Sequence, residues 1–291
     1  MKISATFENG ILVMLGSSLS FAIFDSLVKY LVGSFSAAEI AFARFGFGAL
    51  TMLPSLFRET GWRNRRDLPL LILRGLTGTG AFYTFMFALQ TTPLSVTVVL
   101  FFTSPIWALF MGTYFLDERL TWERTLCVLS AFIGILVLIN PSDRGISWGY
   151  LFGIISGILG GVNNVITRHL RTRISGQVIY ASHCIVGTLF SIPGIAGHVR
   201  LPEPRDGMLL LLASFFGLTG QVAMNHGFRF IRAAEGATLL MSEAVLTALV
   251  GILLFHEPLS MRFAIGTVMI LGSGILLGVR SAGRSSVPSE S

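Results

Sequence analysis

GTYFLDERL, residues 112–120, and GILLFHEPL, residues 251–259, lie 139 positions apart and align without a gap. Gly112 falls on Gly251, and the run Asp117-Glu118-Arg119-Leu120 falls on His256-Glu257-Pro258-Leu259. The same offset sets Asp25 on Asn164, Lys29 on Arg168, Arg44 on His183 and Gly78 on Gly217, so polar positions inside apolar stretches recur as polar positions. Self-similarity at one fixed spacing is the mark of a duplicated unit.

Around these landmarks the chain is a succession of apolar runs, near 11–32, 38–57, 68–89, 93–115, 123–140, 148–167, 177–198, 208–229, 234–255 and 262–280. Of the 291 residues 53% are hydrophobic and 12% charged, against about 25% charged in a soluble domain. A hydrocarbon layer about 30 Å thick takes a helix of about 20 apolar residues. The runs lack the alternation of barrel strands, and backbone in lipid must satisfy its own hydrogen bonds, so they read as helices. The first, 11–32, is long enough to span and carries no small-residue cleavage site, so it reads as a retained helix.

The expected fold is therefore an all-α integral membrane protein of ten transmembrane helices. Five spans is an odd number, so the second unit enters the lipid bilayer from the opposite face. This gives two inverted five-helix repeats, residues 1–140 and 141–280, and a polar tail over 281–291 that reads as disordered and cytoplasmic.

The net charge of +6 does not point to nucleic acid, because the basic residues sit in short loops. With a cytoplasmic N-terminus, fourteen fall inside (Lys2, Arg58, Arg63, Arg65, Arg66, Arg119, Arg124, Arg168, Arg171, Arg173, Arg229, Arg232, Arg280 and Arg284) and five outside (Lys29, Arg144, Arg200, Arg205 and Arg262). The positive-inside rule then places both termini in the cytoplasm of a bacterial-type inner membrane. Trp62, Trp122 and Trp148 at helix ends fit an interfacial aromatic belt. Cys127 and Cys184 lie in separate runs without metal-ligand spacing and read as packing or lipid-side residues. There is no phosphate-binding loop, dinucleotide fingerprint, His-Glu-x-x-His or Gly-x-Ser-x-Gly. The reading is a carrier of a small molecule driven by a proton or sodium gradient, with no cofactor and no metal; an intramembrane enzyme is the remote alternative.

Glu243 lies nine positions into its run, ~14 Å deep by helical rise, where a carboxylate is costly and functional by default. It could bind a cationic group or take up a proton; hydrogen bonding to a neighbouring helix is the structural alternative. Its repeat partner is Ser104. Gln221 and Asn225 share a helix face, and with Asn163, Asn164, His183 and His226 they suggest a polar inner vestibule, interhelical bonding being the plainer use of each. Tyr83, Phe102 and Trp107 are candidates to line an amphipathic pocket, or else pack. Asp25 and Arg44, about 10 and 9 Å from the outer face, are expected to meet as a buried pair forming an outer gate or a static clamp, with Asn164 and His183 as the inner gate. Lys29 and Glu39 read as a solvated pair nearer the surface. Gly149, Gly153, Gly157 and Gly161 form a ridge that admits another backbone.

The segments ALQTTPLSVTVVLFFTSPIWALFMGTYFLDERL, residues 88–120, and AAEGATLLMSEAVLTALVGILLFHEPL, residues 233–259, resemble the paired signatures of EamA-type proteins in the drug/metabolite transporter superfamily. Pro105 with Glu118 matches the family's mid-helix proline and terminal glutamate; the second half keeps Glu257 but has Ala244 at the proline position. The resemblance implies ten helices around a central cavity and transport of amino acids, nucleotide-derived metabolites or related compounds. The run Asp25-x-x-x-Lys29 followed by Arg44 looks like a branch that includes S-adenosylmethionine and riboflavin carriers and amino-acid exporters. Multidrug efflux of lipophilic cations, with Glu243 as counter-charge, is the alternative within transport. Glu118 and Glu257 read as caps of short turns.

Overall fold

The computed structural model describes residues 2–58, 67–104, 106–108, 111, 122–139, 147–171, 173–196, 202–227, 239–257 and 260–284. Their regular structure is helical: α1 (Lys2–Leu31), α2 (Ala37–Arg58), α3 (Leu68–Thr91), α4 (Leu94–Phe101), α5 (Trp122–Ile139), α6 (Trp148–Arg171), α7 (Gly176–Ile195), α8 (Pro204–Gly227), α9 (Ser242–Phe255) and α10 (Met261–Arg284). Among the described residues, six helices are long and apolar enough to cross a membrane: Gly10–Leu31, Ala37–Arg58, Leu68–Thr91, Trp148–Thr167, Gly176–Ile195 and Pro204–Gly227. Shorter apolar helices cover Leu94–Ala108, Ser242–Phe255 and Met261–Ser273. Leu12, Leu50, Phe57, Leu189, Leu211, Leu253 and Val268 stand on the outside of the bundle, as expected of a chain solvated by lipid rather than water. Trp122 and Trp148 are exposed at the starts of α5 and α6; Trp62 lies outside the described residues. Cys127 and Cys184 are both buried.

In the main pairings, helix α1 packs on α8 and α3 on α6; α3 lies on α7 and α2 on α8; α1 meets α9 and α4 meets α6; and α2 lies on α7, α5 on α10 and α4 on α9. Renaming each helix by its counterpart 139 residues away turns this set of pairings into itself. Ser36 and Ser175, one offset apart, both cap helices: Ser36 forms a capping box with Glu39 at the start of α2, and Ser175 Oγ accepts from the Val178 N–H at 3.3 Å at the start of α7. The glycine ridge of α6 takes the backbone of α4 and of the chain that follows it. A Cβ on Gly157 would stand 2.8 Å from the Leu100 carbonyl oxygen, and one on Gly161 2.8 Å from both the Ser104 carbonyl oxygen and the Ala108 nitrogen.

The continuous spans expected over 93–115 and 234–255 are interrupted. Helix α4 stops at Phe101; Phe102 and Thr103 form a turn, and helix resumes at Ser104. In the second half residues 239–240 are helical, Met241 is a turn residue and α9 starts at Ser242. Phe102 and Met241 are repeat partners. Short-range bonds mark both breaks: the Thr103 N–H donates to Leu100 O at 3.1 Å and the Ala244 N–H to Met241 O at 3.1 Å. At the other terminus the sequence reading needs correcting as well. Residues 281–284 continue α10 rather than starting a disordered tail, while 285–291 lie outside the described residues.

The signature quoted at the outset has a structural use in its second copy. His256 adopts a left-handed conformation (φ 52°) that ends α9. The Glu257 N–H donates back to Gly251 O at 3.1 Å, which returns the glutamate toward α4. Its Oε1 accepts from the Leu94 N–H at 2.5 Å, and Oε2 from the Ser95 N–H at 3.2 Å and the Ser95 hydroxyl at 2.5 Å. A carboxylate from the second half thus caps the N-terminus of a helix in the first, where unsatisfied N–H groups favour negative charge. Gly251 is required there, since a Cβ would stand 2.5 Å from Glu257 Oε2. The first copy, 112–120, lies outside the described residues apart from its sequence.

Candidate functional site

Glu243 is the second residue of α9, directly after the break at Met241, and is 8% exposed. Ser104, its repeat partner, is the first helical residue after the break in the first half and is 5% exposed. Each interruption therefore creates a half-helix N-terminus inside the bundle, and each presents a polar side chain in its first turn. A carboxylate there faces the positive end of the helix dipole. The Ser104 Cβ packs toward Gly160 on α6, so the two partners sit on different helix contacts.

Helix α1 brings a second carboxyl to Glu243. Ser17 Oγ donates to Gly220 O at 2.8 Å and Ser18 Oγ to Leu239 O at 3.3 Å, which fixes α1 between α8 and the entry to α9. Two turns further on, Asp25, 5% exposed, brings its carboxyl to face that of Glu243. Two buried carboxyls side by side repel while both are ionised, so such a pair favours holding one proton.

Arg44 on α2 is the cation that both carboxyls face. The sequence reading paired it directly with Asp25. Its guanidinium instead lies over aromatic rings, 4.2 Å from the Phe24 centroid, 4.7 Å from Phe82 and 5.7 Å from Phe45, with no carboxylate at ion-pair distance among the described residues. The rings supply cation–π attraction. The ring faces hold the guanidinium that a direct ion pair with Asp25 would need, and Asp25 faces Glu243. Gly217 leaves the space Arg44 uses: a Cβ there would be 3.4 Å from Arg44 Nε. Its repeat partner Gly78 does the same for His183, the repeat partner of Arg44, at 2.8 Å from Nε2.

His183 is buried against Gly78 and Phe45, its ring centroid 4.9 Å from the phenyl. Asn164, proposed beside it as a gate, is exposed on α6, so the two are not a buried pair matching Asp25 and Arg44. Gln221 is buried on α8. Asn225 Nδ2 donates to Gly176 O at 3.3 Å, an interhelical use. Tyr83 donates to Ser191 Oγ at 3.0 Å and packs edge-on to Phe190. Trp107 Nε1 donates to Thr103 Oγ1 at 3.0 Å while its ring meets Phe132 edge-on. Phe102 belongs to the core with Phe24, Phe45 and Phe82. Tyr83 reaches the same cluster, edge-on to Phe82 at 6.3 Å, so two of the three aromatic candidates adjoin the rings that hold Arg44.

Lys29 and Glu39 do not pair. Lys29 Nζ donates to Leu89 O at 2.7 Å and Thr92 O at 2.8 Å, closing the C-terminal end of α3, while Glu39 is taken by Ser36. Lys29 and Glu257 thus grip the α3–α4 turn from both sides. Sequence reasoning passed over Arg74 and Tyr180, which are buried in the same polar layer as His183. The signal for Arg74 was present: an arginine inside an apolar run.

The EamA-like transporter family matches this chain twice, over residues 8–140 and 147–279. An S-adenosylmethionine uptake transporter of Rickettsia bellii (strain RML369-C) is 23% identical over 273 residues, covering 94% of each chain. The pseudopaline exporter CntI of Pseudomonas aeruginosa (strain UCBPP-PA14) is 28% identical over 236 residues, covering 80% of this chain and 81% of that one. A crystal structure at TM-score 0.66 and 16% identity, covering 96% of this chain and 99% of the other, shares the fold.

Proposed function

The chain belongs to the EamA-like transporter family and is a multi-pass carrier of a small metabolite, and within that frame we propose that its cargo is an amino acid or a related zwitterion or cation, moved by alternating access. S-adenosylmethionine, which has a sulfonium, an ammonium and a carboxylate, is the first candidate. The observation that supports this reading is the Asp25–Glu243 carboxyl pair, buried at a helix break and facing Arg44. A cationic group of the cargo replaces the proton that the pair favours, and the returning proton releases it.

In this reading the ten helices are two inverted five-helix repeats, 1–140 and 141–280, in a bacterial inner membrane with both termini cytoplasmic. The self-mapping helix pairings favour the inversion, and interrupted helices with polar first turns are the usual cargo sites of such carriers. Cargo sits between the halves near Glu243, Ser104 and Gln221, with Phe102 as apolar wall. Lys29 and Glu257 hold the outer end closed. Asp25 and Arg44 lie on the outer side of the site, and Asn164 and His183 on the inner. Proton coupling is preferred to sodium because two facing buried carboxyls favour uptake of a proton. A lipophilic cation suits the site less well, with Arg44 between the aromatic rings that would receive it.

Proteoliposome uptake of radiolabelled S-adenosylmethionine and amino acids under separate pH and sodium gradients tests this. Uptake of at least one of them, driven by the pH gradient, is expected. Uptake of none, with export of lipophilic cations in its place, would overturn the cargo class.

A further inference from the structure

Arg74 is the buried charge that the duplication does not explain, because its repeat partner is Ala213. It is 3% exposed on α3. Nε donates to Thr167 Oγ1 at 3.3 Å, whereas Nη1 is shielded from solvent with no acceptor. The Thr79 hydroxyl is shielded in the same way, and the His183 ring nitrogens and the Tyr180 hydroxyl, beside the Gly78 backbone and the Cys184 thiol, make no well-formed hydrogen bond. These groups come from α3 and α7, which pack on each other.

Two of the donors converge on one point. A Cβ on Gly78 would stand 2.8 Å from His183 Nε2 and 3.2 Å from Arg74 Nη1. Among the described residues its charged and ionisable neighbours are Cys184, Tyr180 and the second cation Arg44, with no carboxylate at ion-pair distance. A guanidinium buried without an acid is costly unless an anion arrives. Arginine presents a planar fork of N–H donors that matches a carboxylate, and the neighbouring hydroxyls and imidazole add donors around it. Phe45 touches both groups: its ring stands 5.7 Å from the Arg44 guanidinium, which Asp25 and Glu243 face, and 4.9 Å from the His183 ring.

We infer that Arg74, His183 and Tyr180 form a carboxylate subsite, so that the cargo presents a cationic group to Asp25 and Glu243 and a carboxylate to Arg74. This rests on the assignment of the carboxyl pair to the cargo's cationic end. It makes the carrier selective for amino carboxylates over amines of the same shape, since a site built to pair a polar group rejects an analogue that lacks it.

The test is uptake of S-adenosylmethionine and of decarboxylated S-adenosylmethionine by the full chain in proteoliposomes, as wild type, Arg74→Gln and Arg74→Lys. Thermal unfolding of each purified protein reports folding independently. The wild type is expected to prefer the carboxylate-bearing probe by about ten- to a hundred-fold. Arg74→Gln lowers its uptake to the level of the decarboxylated probe and leaves the latter unchanged, and Arg74→Lys keeps part of the preference. Equal uptake of both probes by the wild type, or an equal loss of both in Arg74→Gln, overturns the subsite and leaves the cationic site standing. If the wild type carries neither probe, an amino acid and its decarboxylated amine take their place, and if it carries none of the four the cargo assignment to the carboxyl pair falls, and the subsite falls with it.

Discussion

Glu257→Gln removes the charge from the carboxylate that joins the two halves at the α3–α4 turn. The wild-type carboxylate accepts three bonds, from the Leu94 N–H, the Ser95 N–H and the Ser95 hydroxyl. Glutamine keeps one oxygen acceptor for Leu94 and turns an amide N–H toward the Ser95 N–H, donor against donor. Bonds to a charged group contribute about 1.5–3 kcal/mol each. The site is only half buried and the hydroxyl can rotate away, so the net loss is about 2–3 kcal/mol. If the grip exists only while this end is closed, the closed-to-open ratio falls by roughly 30- to 140-fold. Val28, fully buried on α1 next to Lys29, reports the opening. In a background with Cys127 and Cys184 replaced by alanine, Val28→Cys should react faster with a membrane-impermeant maleimide when Glu257→Gln is added, by one to two orders of magnitude, and thermal unfolding should shift down by several degrees. Unchanged labelling and unchanged unfolding together would refute the grip.

Other substitutions probe the packing that positions the site. Gly161→Ala places a methyl 2.8 Å from the Ala108 nitrogen and the Ser104 carbonyl oxygen. Both are backbone atoms, so the expected loss is about 1–3 kcal/mol in thermal or denaturant unfolding. Gly78→Ala and Gly217→Ala, at repeat-related positions, should differ. The first meets His183 Nε2 at 2.8 Å and should impair transport, while the second meets Phe24 at 3.1 Å and Arg44 Nε at 3.4 Å, where a small shift of flexible side-chain atoms suffices, and uptake should stay near wild type. Arg173→Ala breaks the 3.6 Å pair with Asp67. With Arg173 mostly exposed, the cost in unfolding experiments should be below about 1 kcal/mol.

Much of the architecture was legible because lipid imposes helices on any apolar run, and because the duplication copied its caps and glycines along with its spans. Gly251 and Glu257 stood out as a repeated pair, and the structure supplies the reason: the glycine makes room for the glutamate's carboxylate at a helix end. The helix breaks were half visible. Pro105 signals one of them, but Ala244 carries no such signal at the other, so Glu243 was placed in mid-helix rather than in a first turn. Asp25 and Glu243 were both recognisable as intramembrane charges. That they meet depends on α1 packing against α9, which no local pattern encodes. Lys29 was read against the nearest acid, yet the carbonyls left open at the end of α3 compete for it and hold it. Arg74 escaped because the repeat directs attention to positions that recur, and its own position does not.

Proton movement coupled to cargo decides the central claim most directly. Proteoliposomes holding a trapped pH-sensitive dye, with S-adenosylmethionine added outside, report proton flux and cargo flux in the same preparation. The account predicts a cargo-dependent proton flux in the wild type that disappears in Asp25→Asn and in Glu243→Gln, with both variants still folded by thermal unfolding. Cargo flux without proton flux in the wild type, or wild-type proton coupling in Glu243→Gln, would contradict it.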